Sequence, residues 1–140
     1  MTDVRTANDG FYVALNAAFN GDSAPMHDVW SQADDITLLG PFGGCLVGPA
    51  DVVGQFDSLV AAGMGGHVEP SDVRIIQGAD IGYALGVEEG HNIVDGERVP
   101  TRHRFTSAFR LENGRWRMIH HHTDLAPNLG EVGVAASTTT

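Results

Sequence analysis

Arg104-Phe-Thr-Ser-Ala-Phe-Arg-Leu-Glu-Asn-Gly-Arg-Trp-Arg-Met-Ile-His-His-His-Thr-Asp124 reads as two alternating strands joined by Asn113-Gly114. That dipeptide tolerates positive φ at both central positions of a tight hairpin turn, so it fixes how the flanking strands pair. With a two-residue loop, Leu111 faces Trp116, Phe109 faces Met118, Ser107 faces His120 and Phe105 faces His122. Side chains alternate along a strand, so these four pairs share one sheet face. Arg104/Thr123, Thr106/His121, Ala108/Ile119 and Arg110/Arg117 fall on the other. The expected inner face is apolar until it reaches Ser107, His120 and His122, while His121 is expected outside, exposed or at a subunit contact. Arg110 opposite Arg117 calls for a nearby acid, either Glu88 from a neighbouring strand or a group from a second subunit.

Upstream of the hairpin the pattern changes from helical to extended. Phe11, Leu15, Ala18 and Phe19 follow the three-and-four spacing of a helix face, with Asn8 or Asp9 placed to cap it and Gly21 to stop it. Ser23-Ala-Pro25 starts a short second helix to Trp30, and Pro49 starts a third whose stripe is Val52, Val53, Phe56, Leu59 and Val60. Between them, Ile36–Leu39 and Cys45–Val47 form a small hairpin around Gly40-Pro41. From His67 onward the chain is a meander of strands over 67–77, 81–93, 99–111 and 115–125. Pro100 cannot donate to a ladder, which places it at an edge or a bulge. Helices first and a long sheet second define an α+β fold with helices on one sheet face. The expectation is one domain over residues 1–128 and a small, polar, disordered tail over 129–140.

Composition removes several classes of function. The chain has 140 residues, 42% of them hydrophobic, enough for one self-sufficient core. A formal charge of -10 argues against nucleic acid, whose phosphates require clustered cations. Lys is absent, and the basic residues are eight arginines. No apolar run is long enough to span a bilayer and no charged-then-apolar leader opens the chain, so a cytoplasmic location without membrane contact is expected. Cys45 is the only cysteine, which rules out an internal disulfide and suggests a small buried filler.

Asn20-Gly21-Asp22 after the first helix, Ala33-Asp-Asp-Ile-Thr-Leu-Leu-Gly-Pro41, Arg104-Phe-Thr106, Gly114-Arg-Trp116 and His120-His-His122 together resemble the SnoaL-like members of the nuclear transport factor 2-like superfamily. The resemblance spans roughly residues 5 to 126. It implies a cone, in which a strongly bent antiparallel or mixed sheet wraps around three N-terminal helices and leaves a pocket at its open end. The superfamily includes polyketide cyclases, ketosteroid isomerases, epoxide hydrolases, dehydratases and non-catalytic association domains, so the fold does not select the chemistry. The general base of a ketosteroid isomerase would fall immediately before Pro41, where this chain has Gly40. Its oxyanion-hole tyrosine would fall at Ala14, or at Tyr12 with a two-residue shift, and its protonated aspartate near Ser107. In the similar association domain of calcium/calmodulin-dependent protein kinase II, the pocket arginines would fall at Leu85 and Ser107. Neither functional set is reproduced.

The residues left to carry chemistry are the histidines and one acid. His120 and His122, about 7 Å apart along one face, could exchange protons near neutral pH. Alternation along 81–91 groups Tyr83, Leu85, Val87, Glu89 and His91, and if these larger residues face the cavity, Glu89 is the candidate general base. A strict two-residue turn at Asp95-Gly96 would instead put Gly86 on the face of Phe105 and remove Glu89. Tyr12, Trp30, His67, Phe105, Ser107, Phe109 and Met118 are the candidate substrate-binding residues. His120 and His122 could also hold zinc if His91, His103 or Glu89 supplied a third ligand, but a His-x-His pair alone is weak support and no metal is assigned. The resulting expectation is cofactor-free acid–base catalysis on an apolar, carbonyl-bearing small molecule by an isomerase, cyclase or hydratase-like homodimer joined through its sheet face. The alternative is a non-catalytic ligand-binding or oligomerisation domain of the same fold.

Overall fold

The structure, a computed structural model, describes residues 3–41 and 43–126. It contains helices α1 (Val4–Phe19), α2 (Ala24–Val29) and α3 (Pro49–Ala61), and strands β1 (Thr37–Leu39), β2 (Leu46–Val47), β3 (Gly65–Gln77), β4 (Ile81–Val94), β5 (Glu97–Glu112) and β6 (Arg115–Leu125). The strands form one sheet in the order β2-β1-β6-β5-β4-β3. β1 runs parallel to β6 and every other pairing is antiparallel, so the expected α+β fold with a mixed sheet is observed. The expected tail falls outside the described residues. Among the described residues, no helix is long and apolar enough to cross a membrane.

α1 buries Phe11, Leu15 and Ala18 as its spacing predicts. It starts earlier than expected, however, because Asp3 rather than Asn8 or Asp9 is the cap and accepts a hydrogen bond from the Thr6 amide at 2.7 Å. Asn8 instead lies within the helix and is buried. Cys45 is exposed rather than buried, since it precedes β2 at the end of a glycine-rich loop.

Two strand pairings position the site. β4 and β5 run in unbroken register from Ile81↔Arg110 through Gly86↔Phe105 and Glu88↔His103 to Val94↔Glu97. Pro100 is tolerated because β6 ends opposite His103, leaving the start of β5 with β4 as its ladder neighbour. The strict register turns Gly82, Ala84, Gly86 and Glu88 toward the helices, which reverses the expectation that Tyr83, Leu85, Val87 and Glu89 face inward. Bulk cannot decide this face because α1 lies so close to it. A Cβ on Gly82 would come within 2.7 Å of Val4 Cγ2 on α1, and at Gly86 the sheet itself leaves no room, since a Cβ there would come within 2.7 Å of the Ser71 carbonyl oxygen on β3.

β5 and β6 pair as expected from Glu112↔Arg115 to Phe109↔Met118, and then the register shifts. Ala108 pairs with His120, Ser107 with His121 and Thr106 with His122, leaving Ile119 as the extra residue of a bulge. One extra residue exchanges the two faces of everything that follows. His121 therefore points inward and is buried, whereas His120 and His122 point outward. The bulge lies where β6 changes neighbours: the Ser31 amide donates to the Met118 carbonyl, and β1 begins pairing at His120. Arg110 and Arg117 do face each other, but the offsetting acids are Asp35 and Glu112 on Arg110, not Glu88.

Candidate functional site

The small residues of β4 leave room under the helices for one acid, and Glu88 occupies it almost fully buried. Tyr12 on α1 donates its hydroxyl to Glu88 Oε2 at 2.7 Å. Across the strand pair, His103 Nδ1 lies 3.0 Å from Glu88 Oε1. An ionised carboxylate only accepts, so Nδ1 of His103, the nitrogen facing Glu88, carries a proton and donates it to that bond. His121 Nε2 lies 4.0 Å from Glu88 Oε2, and His121 Nδ1 lies 2.7 Å from Ser107 Oγ. The His121 ring also packs against Phe11, with centroids 4.5 Å apart, and is stacked on Phe105 at 6.3 Å.

Burial and charge act in opposite directions on this cluster. Burial pushes the His121 pKa down from its ordinary 6.5 to about 4, an effect that the Glu88 charge only partly offsets. His121 is therefore neutral near pH 7. Placing its single proton on Nε2, the nitrogen nearer Glu88, leaves Nδ1 to accept from the Ser107 hydroxyl. Burial would raise the Glu88 pKa, but the His103 hydrogen bond, the His121 charge interaction and the Tyr12 hydroxyl outweigh it, and the net direction is down. Burial first, and then the adjacent Glu88 charge, raise the Tyr12 pKa, so its phenol stays protonated.

These groups meet a cavity of about 240 Å³. Glu88, His103, His121 and Asn92 line it from the sheet; Phe11, Leu15, Phe56 and Leu59 line it from α1 and α3. The loop between β1 and β2 contributes Gly40, Pro41, Gly43 and Gly44. An apolar chamber with a few converging polar groups has the general form of a small-molecule site.

The structure brings some of the sequence-derived candidates together and separates others. Tyr12, Ser107 and Phe105 join the buried cluster behind the cavity wall, and Trp30, Phe109 and Met118 are buried in the core; none of these six expected substrate-binding residues lines the cavity itself. His67 is exposed and pairs with Glu69 at 2.6 Å. Glu89 faces away from the cavity, half exposed, with Arg102 Nε 3.3 Å from its carboxylate. His120 is held on the outer face by Thr37 Oγ1, 2.7 Å from its Nδ1, and its ring lies 6.4 Å from that of His122. No group of three His, Cys, Asp or Glu side chains suited to a metal occurs among the described residues, so the third ligand required by a zinc site at His120 and His122 is missing there. Sequence reasoning missed Glu88, His103 and His121 as a cluster. A strict count through Asp95-Gly96 would have found the first two, but no local signal marks the Ile119 bulge.

A helix-covered mixed sheet enclosing an apolar chamber with a buried carboxylate–imidazole cluster defines a cone-type α+β protein with a small-molecule-sized pocket. The family model for the SnoaL-like domain matches residues 4–126, and the chain belongs to that family. No curated protein matches it. Among solved structures it is similar to a candidate dehydratase of the nuclear transport factor 2-like family from Streptomyces avermitilis, with a TM-score of 0.77, 20% identity, and 90% of this chain and 95% of that chain covered. A ketosteroid isomerase-like protein from Erwinia carotovora atroseptica gives a TM-score of 0.73 at 20% identity, covering 89% of this chain and 95% of that one. A candidate calcium/calmodulin-dependent protein kinase type II association domain from Thiobacillus denitrificans gives 0.71 at 24%, covering 91% and 98%. At these identities the likeness establishes the fold, while the chemistry has to be argued from the site.

Proposed function

We propose that the chain catalyses cofactor-free proton transfer on an apolar, carbonyl-bearing small molecule, as an isomerase, cyclase or dehydratase would. The observation that carries this reading is the buried Glu88–His103 hydrogen bond at 3.0 Å beside a neutral His121, all three lining one apolar cavity. With Nδ1–H held by Glu88, His103 Nε2 removes a proton α to the substrate carbonyl, and the carboxylate stabilises the imidazolium that forms. His121 Nε2–H, oriented by Ser107, donates to the carbonyl oxygen as it gains negative charge. Return of the His103 proton to another carbon completes an isomerisation; its delivery to a β-hydroxyl that departs as water completes a dehydration. Glu88, His103 and His121 thus take the proton-handling roles that the sequence pattern suggested for Glu89, His120 and His122. Tyr12 and Ser107 orient them.

The same reading includes a cytoplasmic homodimer joined by the outer sheet face, where Ile76, Ile81 and Tyr83 are exposed by 44%, 47% and 41%. Small residues do not explain that contact, since Gly82, Ala84 and Gly86 face the helices. Screening aryl and cyclic ketones for solvent-deuterium exchange at the α-carbon tests the chemistry directly. Wild type should exchange, and His103→Gln should lose about 10²-fold or more in rate while retaining its circular dichroism spectrum. Exchange unchanged in folded His103→Gln, or undetected across the panel with wild type, would leave the non-catalytic ligand-binding domain as the better account.

A further inference from the structure

We propose that this cavity selects uncharged ligands and excludes anionic ones, so that the substrate is a neutral ketone, aldehyde or hydroxy-carbonyl compound and not a carboxylate, phosphate or sulfate. The inference rests on the reading of the cavity as the ligand site and adds the charge class of what enters it. Three observations carry it. First, no permanent side-chain cation is there to receive an anion: Lys is absent from the chain, and none of its eight arginines is among the described residues that line the chamber. Second, several arginines are committed elsewhere. Arg102, Arg104, Arg110 and Arg115 pair with Glu89, Asp124, Asp35 and Asp28 away from the chamber.

Third, the one acid on the chamber wall among the described residues has the wrong sign. Glu88 is almost fully buried on the chamber wall and holds its charge through the donors Tyr12 and His103. Both of those donors are already directed at Glu88, so turning either to an incoming anion would take a hydrogen bond from the buried carboxylate. The His121 Nε2–H is a neutral donor, well matched to one carbonyl or hydroxyl oxygen. A second negative charge brought into this low-dielectric space would meet repulsion from Glu88 with little solvent to screen it. At about 240 Å³ the chamber falls just below the ~300–1,000 Å³ range of small-molecule sites, so an anion has little space to carry its hydration inside.

A matched pair of probes tests the charge alone: 2-acetylnaphthalene and 2-naphthoate share a ring system and nearly the same shape. Isothermal titration calorimetry of the wild-type protein at pH 8 should show the ketone binding and the naphthoate binding at least about tenfold more weakly. In Glu88→Gln, folded by circular dichroism, the gap should shrink because the repelling charge is gone. Equal or tighter binding of naphthoate by wild type overturns the inference, as does failure of both probes to bind. The wild-type comparison stands even if Glu88→Gln does not fold. Turnover plays no part in it, so the two proposals can fail separately. Selective ketone binding without any α-proton exchange would sink the acid–base reading and leave charge selection in place, and exchange on a ketone by a protein that also binds naphthoate well would do the reverse.

Discussion

The two long hairpins of this sheet begin alike and end differently. Each turns on a residue-Gly pair with positive φ, Asp95-Gly96 in one and Asn113-Gly114 in the other. In the β4–β5 hairpin the register set by the turn persists for the whole ladder, so Glu88 meets His103 as simple counting requires. In the β5–β6 hairpin the register survives only to Phe109↔Met118, and Ile119 then exchanges the faces of all three histidines. A turn fixes pairing locally, and the first bulge ends its authority. The candidate site draws one pair from each hairpin: Glu88–His103 from the straight one and Ser107–His121 from the bulged one.

The straight hairpin makes the largest prediction. Glu88→Ala strips the acceptor from the buried Tyr12 hydroxyl and His103 Nδ1–H, and should cost roughly 3–5 kcal/mol in urea unfolding. Glu89→Ala, one position along, removes a half-exposed contact to Arg102 and should change stability by about 0.5 kcal/mol or less. If Glu89→Ala proved the costlier change, β4 would have to be turned over, and the strict register with it.

The bulged hairpin predicts a pH dependence. The unfolded chain binds a proton at His121 near its ordinary 6.5, whereas the folded chain resists it until about 4. Below pH 6.5 the unfolded state therefore holds more protons, and stability falls with pH until the folded site also protonates. The loss should reach about 3 kcal/mol between pH 6.5 and 4. His120, whose pKa is lowered by burial and then by His122, contributes with the same sign, and Glu88 adds its own loss only below the ordinary carboxylate range. Unfolding free energies measured across this window should flatten markedly in His121→Asn. A slope unchanged by that substitution would mean that His121 is not the buried imidazole.

Much of the architecture was legible because it rests on local rules. The helix stripe through Phe11 and Leu15, the turn residues of both hairpins and the order of elements all survive in the structure. The apolar inner positions Phe105, Phe109 and Met118 were legible as well, though they build the core more than the cavity. What failed were choices between faces. On β4, size alone points the larger residues inward, but the helix layer needs the small ones there to approach the sheet, as the clash between Val4 and a Cβ at Gly82 makes plain. On β6, the triple histidine hid the bulge, since either parity leaves a histidine inside. Helix α1 is likewise capped by Asp3 because capping geometry, not composition alone, selects among nearby Asp and Asn residues.

The smallest expected effect is the sharpest test of that last ambiguity. Histidines 120 to 122 are chemically identical in sequence, so only position can make one of them expensive to lose. His121→Ala empties a space between Phe11 and Phe105 and leaves the buried Ser107 hydroxyl without its partner, for a cost of about 2–4 kcal/mol. His122 lies on the exposed outer face near Arg104 and Asp124, which already satisfy each other through two hydrogen bonds of 2.8 and 2.7 Å. His122→Ala should therefore shift stability by about 0.5 kcal/mol or less, within the usual range of surface substitutions. Measured in dilute monomeric protein, that near-neutral result beside a costly His121→Ala would identify the inward histidine without any structure determination. Should His122→Ala instead be the costly change, the bulge at Ile119 would be absent and the regular pairing of Phe105 with His122 would be restored.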